Sequence, residues 1–224
     1  MSTSAKVQWA ISVVTAFAVV IGLSVYFTTV RKENRAAATA DAGSSLLADQ
    51  AHLLTSSTDD DAVTLIEFLD FECESCKALY PTMERIRSDY AGRINLGVRY
   101  FPLPSHTNSV LAARTVEAAS RQGQFTEMYH RMFDTQLQWG ESAVSQQDVF
   151  VGFARDLGMD MSVFLRDLGD PAVADRVEQD FAAGLAAGVQ GTPTLFLDGA
   201  LLPPMPTYDE LSTWIDARLE GQDS

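Results

Sequence analysis

The stretch Val63-Thr64-Leu65-Ile66-Glu67-Phe68-Leu69-Asp70-Phe71-Glu72-Cys73-Glu74-Ser75-Cys76 decides the fold. Val63 to Leu69 is almost continuously apolar with one carboxylate, Glu67, inside it, which is the pattern of a strand buried on both faces. After a short turn the spacing becomes helical, from Cys73 through Met83 and Ile86 to Tyr90. A cysteine pair separated by two residues has a specific use at a strand-to-helix junction. The first sulfur sits where unpaired N–H groups and the helix dipole favour a thiolate, and the second lies one turn inward, in reach of a disulfide with the first. The same spacing is half a zinc site, and a purely structural disulfide could also use it. The chain has only two cysteines, so no second pair completes a metal site, and His52, His106 and His130 are scattered without ligand spacing. The reading is a redox pair with no metal and no cofactor.

Outward from this stretch, a second strand is expected over Ile94 to Tyr100, followed by roughly ninety residues before Thr192-Pro193. That is far more than a simple connection. Val110, Ala113 and Val116 to Ala119 form one helical stripe, and Val173, Val177, Phe181 and Leu185 form another. Phe125 to Gln136 and Asp148 to Leu157 fill the middle, with Gly140, Gly158 and Gly169-Asp170-Pro171 as breaks. Tyr129, Phe133, Trp139, Phe150, Phe153 and Phe164 read as core. A hairpin is expected from Thr194 to Leu202 across Asp198-Gly199, whose residues tolerate positive φ. A last helix starts near Tyr208, with Leu211, Trp214, Ile215 and Leu219 on one face.

Taken together, these motifs resemble the DsbA-like thiol–disulfide oxidoreductases of the thioredoxin superfamily. Ile66-Glu67-Phe68 through Cys73-Glu74-Ser75-Cys76 matches that family's strand and active-site phrase, with Glu67 at its buried carboxylate. Pro81 matches the proline of its active-site helix, and Gly191-Thr192-Pro193-Thr194 looks like its cis-proline loop. The resemblance implies an α/β thioredoxin fold with an inserted α-helical subdomain. It implies Cys73 as nucleophile, Cys76 as resolving thiol and Glu67 as proton relay. Thr192 and Pro193 would present backbone to an extended substrate.

The first thirty-five residues differ in kind. Val7 to Val30 is a run of 24 uncharged residues, which at ~1.5 Å per residue exceeds a ~30 Å hydrocarbon layer. Trp9 and Tyr26 suit its two interfaces. Ala38-Thr39-Ala40 has the form of a signal-peptidase site, but Arg31, Lys32, Glu33 and Arg35 separate it from an apolar run longer than a signal peptide needs. The expected organisation is a transmembrane anchor with flanks (1–35), a polar tether (36–60) with a short strand around His52 to Leu54, and the DsbA-like domain (61–220). The helical insertion falls at about 105–187.

Of 224 residues, 16 are Lys or Arg and 30 Asp or Glu, a net −14 with pI near 4.4. The anchor region carries a net +3, which leaves −17 for the rest. A nucleic-acid binder is excluded, since it needs a basic face.

Basic residues after the span place the domain in the cytoplasm by the positive-inside rule. The chemistry argues for the outside, where disulfides persist. The expectation is therefore a single-pass cell-membrane protein with an extracytoplasmic catalytic domain, held in the bilayer by residues 7–30. It would act on secreted or cell-surface substrates with cysteines and be recycled by a membrane redox partner. Disulfide formation is the expected direction, with a reductase or isomerase as the alternative and a non-catalytic peptide-binding module as a reading of another class. Glu74 and Ser75 stand where other members tune the sulfur, and Asp70 and Glu72 lie close by. This local negative charge predicts a Cys73 pKa nearer to ~7 than to ~3.5, hence a mild oxidant.

Overall fold

The computed structural model describes residues 50–59 and 62–222. Its centre is β2 (Thr64–Leu69), in which all six residues are buried. The strand lies third in a five-stranded sheet of order β1-β3-β2-β4-β5, formed with β1 (His52–Thr55), β3 (Asn95–Tyr100), β4 (Thr194–Leu197) and β5 (Ala200–Leu201). β3 runs parallel to β2 and β4 antiparallel, so Glu67 is flanked by Val98 and Leu195. A central strand with partners on both edges and cover on both faces is apolar at nearly every position, which explains the run read in the sequence. β1 pairs antiparallel with β3. The short strand expected in the tether is thus a sheet member, and the fold reaches upstream of residue 61.

Helix α1 (Glu74–Asp89) follows β2 after a short turn and buries Cys76, Leu79, Met83 and Ile86. Pro81 lies inside it and has no N–H to give the carbonyl one turn back. Five helices, α2 (Ser109–Ser120), α3 (Phe125–Trp139), α4 (Gln147–Asp156), α5 (Met161–Leu168) and α6 (Pro171–Ala187), make the insertion between β3 and β4. α5 is a helix that the sequence pattern does not predict. Its eight residues make little more than two turns, too short a window for periodicity alone to separate helix from strand, but Asp160 caps it by accepting from the N–H groups of Ser162 and Val163.

Two stripe assignments need correction, because Val110 and Leu185 are exposed. On α6 the inward position beside Leu185 is Gly184. A Cβ there would lie 2.6 Å from Phe101 Cδ2, so the helix needs glycine to approach the sheet this closely. Asp198 and Gly199 take φ 47° and 75° in the β4–β5 turn, the left-handed geometry a two-residue hairpin demands. α7 (Tyr208–Gln222) closes the fold, and Tyr90 Oη at the end of α1 donates to Asp216 of α7 at 2.9 Å. Among the described residues no helix is long and apolar enough to cross a membrane, and the span expected over 7–30 lies outside them.

Candidate active site

The turn after β2 places Cys73 at the N-cap position of α1 in extended conformation (φ −71°, ψ 123°), with no side-chain cap hydrogen bond. The first N–H groups of the helix are therefore left for the sulfur itself. Cys73 and Cys76 are both free thiols, with residue exposures of 5% and 0%. The Cys73 pKa is lowered to about 5. The Cys76 thiol hydrogen bond is the largest cause, burial opposes it, and the Thr192 side chain and the N–H groups of Cys76 and Ser75 add to it. The Cys76 thiol is raised well above its usual value, first by burial and then by its bond to Cys73 and the charge of Glu67. One sulfur is thus set up to ionise and attack or leave, and the other to stay protonated until it is needed.

The expected loop stands opposite. The Thr192–Pro193 peptide bond is cis, and the Cys73 thiol donates to the Thr192 carbonyl at 3.4 Å. The Thr192 hydroxyl oxygen is buried without a partner while Cys73 is a thiol. An ionised Cys73 loses its bond to the carbonyl and accepts from the Thr192 hydroxyl instead, which gives that hydroxyl its partner. Next to this loop is an open cavity of about 510 Å³ lined by Gln190, Thr192, Pro193, Thr194, Leu201 and Pro204.

Glu67 points from the centre of the sheet and is 2% exposed. Desolvation pushes its pKa up to about 8, with added repulsion from Cys73 and Glu84. It therefore holds a proton at neutral pH beside a thiol that needs a proton exchanger.

The expectation that neighbouring carboxylates oppose the Cys73 thiolate is overturned by where they point. Asp70 Oδ1 accepts the N–H of Glu72 at 2.9 Å, while Oδ2 accepts the N–H of Leu103 at 2.9 Å and pairs with His106 Nδ1 at 2.7 Å. Glu72 Oε2 accepts the N–H of Asn108 at 2.6 Å. Both groups fasten the 103–108 segment under the active-site turn. Burial is the largest single influence on His106 and works against its protonated form, but the bond to Asp70 and the charges of Asp70, Cys73 and Glu72 together outweigh it, and its pKa is raised. Glu74 is exposed. Ser75 acts through its backbone N–H, a smaller contribution than the Cys76 thiol and the Thr192 side chain.

Sequence reasoning missed two residues here. Gln136 of α3 is buried and donates to the carbonyls of Phe71 and Cys73 at 2.8 and 2.9 Å, so the helical insertion holds the active-site turn directly. His106 shows in the sequence only a lack of ligand spacing with the other histidines. Neither position carries a local signal, because each acts on residues more than thirty positions away.

The family model described as thioredoxin matches residues 58–217. Among curated proteins, the chain is 35% identical to the Na(+)/H(+) antiporter NhaA of Herminiimonas arsenicoxydans over 144 residues, 64% of this chain and 22% of that protein. It is 33% identical to NhaA 3 of Salinispora tropica over 138 residues, 61% of this chain and 20% of that protein. The aligned part is only about a fifth of the length of these relatives.

Among solved structures, a thioredoxin-like oxidoreductase from Silicibacter pomeroyi superposes with TM-score 0.66 at 25% identity, covering 79% of this chain and 97% of that one. BdbD from Bacillus subtilis (TM-score 0.67, 22%, 77% and 94% covered) and α-DsbA2 from Wolbachia pipientis (0.64, 20%, 80% and 95%) share the fold.

Proposed function

The chain belongs to the thioredoxin family and has the fold of its DsbA-like thiol–disulfide oxidoreductases, and from that premise we propose that it forms disulfide bonds in protein substrates outside the cytoplasm. The observation that carries the reading is the Cys73 sulfur at the N-terminus of α1, facing the Thr192 carbonyl of the cis-proline loop at 3.4 Å. In the oxidised protein, a substrate thiolate attacks Cys73 Sγ. The Cys73–Cys76 bond breaks and Cys76 leaves, taking its proton from Glu67. A second substrate thiolate attacks the substrate sulfur of the mixed disulfide, and Cys73 leaves as a thiolate. The substrate has lost two electrons and the pair has gained them, to be passed on to the disulfide of a membrane redox partner.

The direction is supported by the low pKa of the leaving sulfur, since a stabilised thiolate makes the disulfide form the oxidant. The location is supported by the persistence of disulfides outside the cytoplasm and by the apolar run of residues 7–30. Acid-quenched trapping of the in-cell thiols tests both. The pair should be found mostly as disulfide and, in intact cells, should react with an impermeant reagent once reduced. A mostly dithiol pair would make the protein a reductase, and labelling only after lysis would put the domain inside. Full function of Cys73→Ser would leave only a binding module.

A further inference from the structure

We propose that Glu74, His106 and Glu141 form a Zn²⁺ site at the mouth of the active site. A ring nitrogen of His106 and one carboxylate oxygen each from Glu74 and Glu141 lie within 4.8 Å of one another. The three are brought together only by the fold. Glu74 opens α1 between the two cysteines, His106 lies in the segment between β3 and α2, and Glu141 lies between α3 and α4.

Two observations beyond proximity point to a cation. First, His106 is held through Nδ1 at 2.7 Å by Asp70, a buried carboxylate outside the set that is itself fixed by two backbone N–H groups. Metal-binding histidines are oriented in this way, the carboxylate fixing the tautomer and making the far nitrogen a better ligand. With Nδ1 engaged, Nε2 is the nitrogen open to a metal. Second, Glu74 and Glu141 converge although neither is ion-paired with a Lys or Arg among the described residues. Two carboxylates this close repel each other, weakly where water reaches them, and a cation between them relieves that repulsion.

One imidazole and two carboxylates leave a fourth position open for water, the pattern of an accessible zinc site. The nitrogen donor favours zinc over calcium or magnesium, which prefer all-oxygen sites. Tetrahedral ligation at roughly 2.0–2.2 Å brings ligand atoms to roughly 3.4 Å of each other. Glu74 and Glu141 are exposed, so their side chains have room to close to that spacing.

The inference does not depend on the direction of thiol exchange. Calorimetric titration with Zn²⁺ near neutral pH tests it on the Cys73→Ser/Cys76→Ser protein, in which sulfur cannot bind the metal. One Zn²⁺ per chain is expected. Glu141→Gln and Glu74→Gln in the same background should each weaken binding at least about tenfold, as should Asp70→Asn. Glu141 and Glu74 are exposed, so their substitution leaves the fold intact. No binding to the cysteine-free protein would overturn the proposal, because a protonated His106 would then be the positive group between the carboxylates. Binding indifferent to Glu141→Gln would overturn it as well.

Discussion

Replacing Glu67 by Gln removes a buried carboxyl whose pKa is about 8 in the fold and 4.5 when unperturbed. Between those values the native state keeps a proton that the unfolded chain has lost, so stability falls as pH rises through this window. The contribution is fully present below 4.5 and gone above about 8. At ~1.4 kcal/mol per pH unit, Glu67 lowers stability by about 2–3 kcal/mol between about pH 5 and pH 7. The fixed cost of burying an amide is the same at both pH values and cancels in the comparison. Urea unfolding of the metal-free dithiol protein and of Glu67→Gln at those two pH values gives the difference directly. The variant should gain about 2–3 kcal/mol relative to the wild type on going from the lower to the higher pH. Parallel pH profiles would refute a buried, protonated Glu67, and with it the proton source assigned to Cys76.

Gly184→Ala drives a methyl to 2.6 Å from Phe101 and 3.0 Å from Phe68, both buried. Overpacking of this kind costs about 1–3 kcal/mol, and the gain in helix propensity is only ~1 kcal/mol. Urea midpoints should therefore fall, and an unchanged or higher midpoint would refute the close contact. The lowered Cys73 pKa stabilises the folded dithiol above pH 9.0, its unfolded value, in full, partly between 9.0 and about 5, and not below. Calorimetry of the two redox forms should accordingly show the dithiol gaining stability relative to the disulfide as pH rises from about 5 toward 9. A gap independent of pH would exclude a thiolate bound this strongly.

What the sequence disclosed, and what it hid, follows from the range over which each signal acts. The β2 run, the Cys73–Cys76 spacing, the Asp198-Gly199 turn and the Thr192-Pro193 loop are local patterns, and each appears in the structure at its expected place. Charge direction is not local. Asp70 and Glu72 flank Cys73 in the chain, yet they point into hydrogen bonds with Leu103, His106 and Asn108, so proximity in sequence misjudged the thiolate. Gln136 and Gly184 matter through what α3 and α6 are packed against, which no periodicity reveals. Val110 and Leu185 fit the helical period, but the period marks only a candidate face and neighbouring elements decide its edges.

The central claim is that Cys73 is the sulfur of the pair that ionises. Alkylation of the dithiol protein by iodoacetamide across pH, with the modified residue identified by peptide mapping, tests it most directly. Modification should fall on Cys73 with a midpoint about 5, while Cys76 stays unmodified. Labelling of Cys76 first, or a Cys73 midpoint near 9.0, the unperturbed thiol value, would contradict the account.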